Sequence, residues 1–286
     1  MPSRFVTANG CRLHVVDHGG SGPSLLLSHG TGLCAGVWEP VVPHLTPHFR
    51  VWALDRRGHG DSDKPPDGQG LADVAGDYAP VVAGLGLDGA LALGHSAGGT
   101  TLGIAAARHP GLFARLALVD PIIFAAGPGP GGVRATAALV AQRTARRRAE
   151  WPSAQAMHDG LAARAPYDTW TADALWAYVR HGATVCADGS VALKCPPALE
   201  ATMYGHPGAL DLFAELAPIR GPVLVLRGER TDRFPRASAE RAVAEMADAR
   251  LVELPGLTHF APMEDPALVA RHVVPFLLGE REKMTP

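Results

Sequence analysis

Six short apolar runs, each closed by Gly, Asp or His, constrain this chain more than any other feature: "PSLLLSHG" (23–30), "RVWALD" (50–55), "GALALGH" (89–95), "RLALVD" (115–120), "PVLVLRG" (222–228) and "RLVELPG" (250–256). Between many of them lie segments of helical character, such as "ADVAGDYAPVVAGLG", "AGGTTLGIAAARHP" and "PRASAERAVAEMADA". Near-continuous apolar strands alternating with helices predict a mostly parallel sheet covered on both faces, an α/β fold. An alternating run, "CRLHVVDHG", reads as one further, early strand.

One interval breaks this rhythm. Residues 122–217 hold no obvious sheet strand and are too long for a loop inside a compact domain. They open on the glycine-proline stretch "AAGPGPGG" and then turn helical and aromatic, with Trp151, Tyr167, Trp170, Trp176, Tyr178 and Tyr204. The segment reads as an inserted, mainly helical cap subdomain on a core made of residues 1–121 and 218–286. Most of its aromatics form its own core, and a few face the substrate. "ADGSVALK", flanked by Cys186 and Cys195, could be a hairpin, which leaves a bridge between those two thiols conceivable.

Composition removes several function classes. With 286 residues and a formal net charge of −2, the chain gives no reason to expect nucleic acid or an anionic membrane as partner. The N-terminus lacks the apolar core of a signal peptide, and no apolar stretch is long enough to span a bilayer. The four cysteines form no C-x-x-C pair, as expected of scattered free thiols in the cytoplasm. No metal motif stands out: His44 and His48 are four apart, but Pro47 argues against a helix presenting both.

The string "ALALGHSAGGTT" (90–101) carries the chemistry. Its G-x-S-x-G pattern alone is weak, yet with 33 glycines and 9 serines only about 0.1 such strings are expected by chance. Ser96 stands directly after a strand and directly before a helix, the strand–turn–helix setting that lifts a nucleophile above a sheet edge. A serine there could serve merely as a helix N-cap; the setting favours the nucleophile. A serine hydroxyl needs a base, and "LPGLTHFAPMEDP" (254–266) places His259 after the last predicted strand. His44, His48, His158, His181 and His206 have no comparable context. The base needs an orienting carboxylate. Asp232, four residues beyond Gly228, is favoured on chain order and loop position. Asp120, which also ends a strand, is the alternative, and Glu229 is a third. The backbone amides of Thr31, on the turn "LLLSHGTGLCAG" with Gly32 close behind, and of Ala97 are candidates for the oxyanion hole. His29 is expected to brace that turn.

In this order, "SHGTG", "LDRRGHGDSDKP", "GHSAGG", "RGERTD" and "LPGLTHFAPMEDP" resemble the α/β-hydrolase-fold serine hydrolases, the esterase and lipase-like superfamily with a cap domain. The resemblance covers both ends of the chain and leaves only the cap interval unmatched. It implies an eight-stranded, mostly parallel sheet flanked by helices, and a Ser–His–Asp triad that needs no cofactor. Many such relatives place the acid three residues after the strand-end glycine, where this chain has Thr231. The Thr231–Asp232 pair is similar to a Ser–Asp spelling in the family and points to Asp232. "LDRRGHGDSDKP" is then a structural loop whose His59, Asp55, Asp61 and Asp63 hydrogen-bond a turn.

The basic run "RTARRRAEW" (143–151) reads as a solvated helix face with Arg146 and Glu150 at i,i+4 spacing; a cap arginine gripping a substrate carboxylate is the sharper alternative. The expected activity is hydrolysis of a carboxylic ester of a small to medium, partly apolar molecule through an acyl-enzyme on Ser96. Carbon–carbon bond hydrolysis, lactonase, thioesterase or acyltransferase chemistry would use the same groups. A non-catalytic ligand-binding member of the fold would lack an activated serine.

Overall fold

The computed structural model describes residues 2–67, 70–125, 133–204 and 210–280. Residues 126–132, most of the glycine-proline stretch, and His206 lie outside them. In chain order the strands are β1 (Ser3–Ala8), β2 (Cys11–Gly19), β3 (Ser24–Ser28), β4 (Arg50–Leu54), β5 (Ala90–His95), β6 (Phe113–Val119), β7 (Glu150–Trp151), β8 (Ala183–Val185), β9 (Val191–Leu193), β10 (Val223–Gly228) and β11 (Ala249–Leu254). Eight of them form one sheet in the order β1-β2-β4-β3-β5-β6-β10-β11. From β4 to β11 every neighbouring pair is parallel, whereas β1 and β2 pair antiparallel.

Alternate residues of each central strand feed two cores. Leu25, Leu27, Leu91, Leu93, Ala117, Val119, Leu224 and Leu226 face one side, against Val37, Trp38 and the helix Pro266–Leu278. Leu26, Ala92, Leu116, Leu118, Val223 and Val225 face the other, against Tyr78, Leu102 and Ile104. Burial on both faces explains why these strands are written as unbroken apolar runs. It also explains why β1 is inconspicuous in the sequence: it is an edge strand, and four of its six residues, Ser3, Arg4, Phe5 and Thr7, are exposed.

The segment between β6 and β10 contains the helices Val133–Ala145, Ala154–Ala162, Ala172–Gly182 and Pro197–Met203. It also contains a small antiparallel sheet, β7-β9-β8, which a mainly helical reading did not anticipate beyond the hairpin. Its strands are two or three residues long, too short to show an alternation of their own. All four cysteines are free, Cys186 and Cys195 among them. The return to the main layer comes before residue 217. Leu212, Phe213 and Leu216, on the helix Leu212–Leu216, already pack into the core beside Leu102 and Ile104. Arg146 and Glu150 form no helical pair, because the helix ends at Ala145 and Glu150 lies in β7.

Contacts of the inserted segment fall on loops at the carboxyl edge of the sheet. Tyr178 donates its hydroxyl to the Gly32 carbonyl at 3.1 Å. The amide of Thr171 donates to the Met263 carbonyl at 2.9 Å, and the Trp170 ring packs on Phe260.

Candidate active site

Ser96 follows β5 and is the N-cap of the helix Ala97–Arg108, with φ 55° and ψ −129°. Such a backbone costs on the order of 1–3 kcal/mol and persists only where its surroundings enforce it. Here the surroundings are backbone itself. A Cβ on Gly94 would lie 2.6 Å from the Gly99 Cα, and one on Gly98 would lie 2.4 Å from the His29 carbonyl oxygen. The two flanking glycines of the motif therefore let strand, helix and the loop after β3 converge on the serine.

The Ser96 hydroxyl lies 2.9 Å from Nε2 of His259, and Nδ1 of His259 lies 2.8 Å from Oδ1 of Asp120. Ser96 and His259 keep 8% and 7% of their surface exposed, and Asp120 none. The expectation that Asp232 meets the histidine is corrected. Its side chain is 82% exposed and is paired with Arg233 at 3.0 Å. Two features explain the exchange. First, the loop before His259 closes onto β10 at backbone contact: a Cβ on Gly228 would lie 2.2 Å from the Thr258 carbonyl oxygen. Second, β6 lies between β5 and β10, so the end of β6 is the nearer partner. Pro121 does not prevent this, because Asp120 turns at φ 46°, in the left-handed region that aspartate tolerates. Thr231, where many relatives carry the acid, donates its hydroxyl to Oδ1 of Asp120 at 2.8 Å, and the Gly228 amide donates to Oδ2 at 2.9 Å. Glu229 instead accepts from the amide of Gly256.

Ala97 is the first residue of the helix, so its amide is one of the helix's unbonded first-turn donors. Thr31 follows Gly30, where a Cβ would lie 3.1 Å from the Cβ of Ser96. Both expected oxyanion-hole residues thus belong to backbone that borders the serine.

Three buried histidines brace the site as neutral rings. His29 donates Nδ1–H to the Gly30 carbonyl and accepts the Arg56 amide at Nε2. His59 donates Nδ1–H to the Arg57 carbonyl and accepts the Gly32 amide. His95 donates Nε2–H to the His259 carbonyl at 2.8 Å. Burial pushes His59 and His95 down to about 3 and His29 well below its usual value. The bracing by His95 escaped sequence reasoning; its only mark is its place inside the G-x-S-x-G string.

Asp55, Asp61 and His14 gather their ligand atoms within 4.8 Å of one another. Asp55 already accepts from His14 and from the amides of Ala35 and Asp61, the pattern of a braced turn. In the inserted segment, half-buried Arg147 pairs with Glu200 and reaches the hydroxyls of Tyr167 and Tyr178. Burial lowers the pKa of Arg147, but Tyr178, Tyr167 and Glu200 outweigh it and hold the guanidinium above its usual value. A separate groove of about 510 Å³, lined by Glu39, Pro43, His44, Thr171, Arg180 and Glu264, contains none of the convergent groups.

Residues 25–272 match the sequence model of the Alpha/beta hydrolase family. The chain is 29% identical over 277 residues to the 2-(acetamidomethylene)succinate hydrolase of Mesorhizobium japonicum, covering 96% of this chain and 95% of that protein. A crystal structure of E-2-(acetamidomethylene)succinate hydrolase superposes with a TM-score of 0.82 at 28% identity, covering 97% and 99% of the two chains. That of the enol-lactonase from Burkholderia xenovorans gives 0.72 at 28% identity, covering 97% and 100%. Among the described residues no helix is long and apolar enough to cross a membrane.

Proposed function

Because the chain belongs to the alpha/beta hydrolase family and is a hydrolase, we propose that it cleaves a carboxylic ester, or a related acyl bond, of a small, partly apolar molecule through an acyl-enzyme on Ser96. The observation that carries this reading is the unbroken hydrogen-bonded line from Ser96 through His259 to Asp120. Ser96 attacks the carbonyl carbon while Nε2 of His259 takes its proton. Asp120 holds Nδ1–H and stabilises the imidazolium. The amides of Thr31 and Ala97 receive the oxyanion; losing one such donor typically costs ~100–1,000-fold in rate. His259 then protonates the leaving group and activates the water that releases the acid.

The inserted segment acts as the cap, excluding water from a serine that is already almost covered. An acyl–nitrogen or lactone bond is the second reading, supported by the whole-length similarity to the acetamidomethylene-succinate hydrolase and the enol-lactonase. A cytoplasmic location fits the four free thiols. The test is covalent labelling with a fluorophosphonate. Wild-type protein should label at Ser96 and hydrolyse activated aryl esters, and Ser96→Ala should do neither. Undiminished labelling of Ser96→Ala would refute the assignment.

A further inference from the structure

Two consecutive arginines follow β4, and their fates differ. Arg57 forms a two-point pair with Asp77, at 2.6 Å through Nε and 2.6 Å through Nη2. Arg56 is as deeply buried, at 3% exposure, yet no carboxylate pairs with it among the described residues. Its Nε has no hydrogen-bond partner, and its Nη2 makes one long contact, 3.4 Å, to the hydroxyl of Thr31. The ionisable groups around it are Tyr78 and the buried His29, His59 and His95 from the core, and Cys195 and Tyr204 from the inserted segment, all neutral at ordinary pH. Burial accordingly lowers its pKa. Taking an ion out of water without a counter-charge costs several kcal/mol, and a guanidinium offers a planar fork suited to carboxylate oxygens.

The position of this uncompensated cation is specific. Its backbone amide is tied to His29. Its side chain touches Thr31, one residue beyond the Gly30 that abuts Ser96. Across the same loop, a Cβ on Gly32 would meet Glu200 and Arg147, but the charge of Arg147 is already met by Glu200. Of the two arginines that flank the loop 30–32, the buried Arg56 is the one with no acid partner among the described residues.

We propose that Arg56 receives a carboxylate of the substrate, so that the preferred substrates are acyl compounds bearing a second, anionic carboxylate a few atoms from the scissile carbonyl. This rests on Ser96 being the nucleophile. The carboxylate would pair with Nη2, whose hydrogen bond to Thr31 is long, because Nε is closed off in the free protein. It would supply in the complex the counter-charge that the free protein lacks. Glu200 in turn keeps Arg147 from competing for the same anion.

The experiment compares p-nitrophenyl hemiglutarate with neutral p-nitrophenyl pentanoate, matched in chain length, on the wild type, Arg56→Lys and Arg56→Met. The wild type should favour the hemiglutarate by at least ~10-fold in kcat/KM. That ratio should fall toward one in Arg56→Met, mainly through KM, with Arg56→Lys between. A merely structural role for Arg56 would lower both esters together and leave the ratio in place. A second measurement needs no variant: glutarate should slow fluorophosphonate labelling of the wild type, and glutaramide should not. Retention of the wild-type ratio in Arg56→Met, or no protection by glutarate, would overturn the proposal. Loss of labelling and of all ester hydrolysis in the wild type would instead strike the Ser96 reading itself.

Discussion

Replacing Asp120 by asparagine tests the relay at its least conspicuous member. The carboxylate makes three hydrogen bonds: Oδ2 accepts from the Gly228 amide, and Oδ1 accepts from Thr231 and from Nδ1 of His259. The Gly228 amide is fixed by the backbone and can only donate, so it holds the carbonyl oxygen of an asparagine at the Oδ2 place. The NH₂ group must then take the Oδ1 place and face His259. The Thr231 hydroxyl can rotate and accept from it, but His259 can accept only by moving its proton to Nε2. In that tautomer the ring cannot take the proton of Ser96. The worst case is a loss of up to ~10⁴-fold in kcat, about 5 kcal/mol of transition-state stabilisation. Asp232→Asn, at an exposed side chain paired with its neighbour Arg233, should leave kcat within about 2-fold, as for surface changes remote from packing. Both variants should be assayed on one activated aryl ester across a pH series, with thermal melts to establish folding. A crippled Asp232→Asn beside a near-normal Asp120→Asn would refute the reasoning.

Thr231→Val, which preserves shape and removes one hydrogen bond to Asp120, should lower kcat by roughly 10-fold, since a hydrogen bond to a charged group is worth ~1.5–3 kcal/mol; unchanged kinetics would show that the threonine plays no part. Tyr178→Phe removes the hydroxyl that joins Arg147 to the Gly32 carbonyl. Denaturant unfolding should show a loss of about 1–2 kcal/mol, with KM raised as the loop 30–32 loosens. Stability should also fall on acidification. His59 and His95, held at about 3 when folded, refuse protons that the unfolded chain accepts below pH ~6.5. The unfolded state then binds more protons, so stability drops from pH ~6.5 toward 3 by up to ~1.4 kcal/mol per unit for each ring. Urea midpoints at pH 7 and pH 5 measure this, and His95→Asn should flatten the slope; equal midpoints would contradict it.

The fold was legible wherever burial on both faces wrote itself into consecutive residues. Leu25, Leu26 and Leu27 serve both cores in turn, so the run announces a central strand without any partner being known. β1 has no such mark, because it is an edge strand with a single sequence neighbour in the sheet, β2. β7 is held by pairing with β9 across some forty residues, a long-range contact that a two-residue stretch cannot encode.

In the site, legibility followed the same division between local and distant causes. Ser96 was readable because its strand, its turn and its helix are contiguous, and the glycines that let them converge sit at fixed offsets from it. The choice of acid was a different kind of question. Chain order favours the loop after β10, and by sequence alone Asp232 has more freedom to bend than Asp120. Freedom was the wrong criterion. The backbone of Leu257 and Thr258 lies against Gly228, which closes the short path from Asp232 and delivers His259 to the end of β6. There Asp120 needs no freedom: its left-handed turn points the carboxylate at a histidine already in place, and Gly228 and Thr231 hold its oxygens. The departure at Thr231, visible in the sequence as the lack of an acid where many relatives carry one, is the residue that supports the acid from the other strand. A short donor at the vacated place together with a carboxylate at the end of the preceding sheet strand is therefore a paired signal. Neither half alone distinguishes Asp120 from Asp232, because each describes only one strand, and the hydrogen bond between Thr231 and Asp120 exists only once β6 and β10 are neighbours.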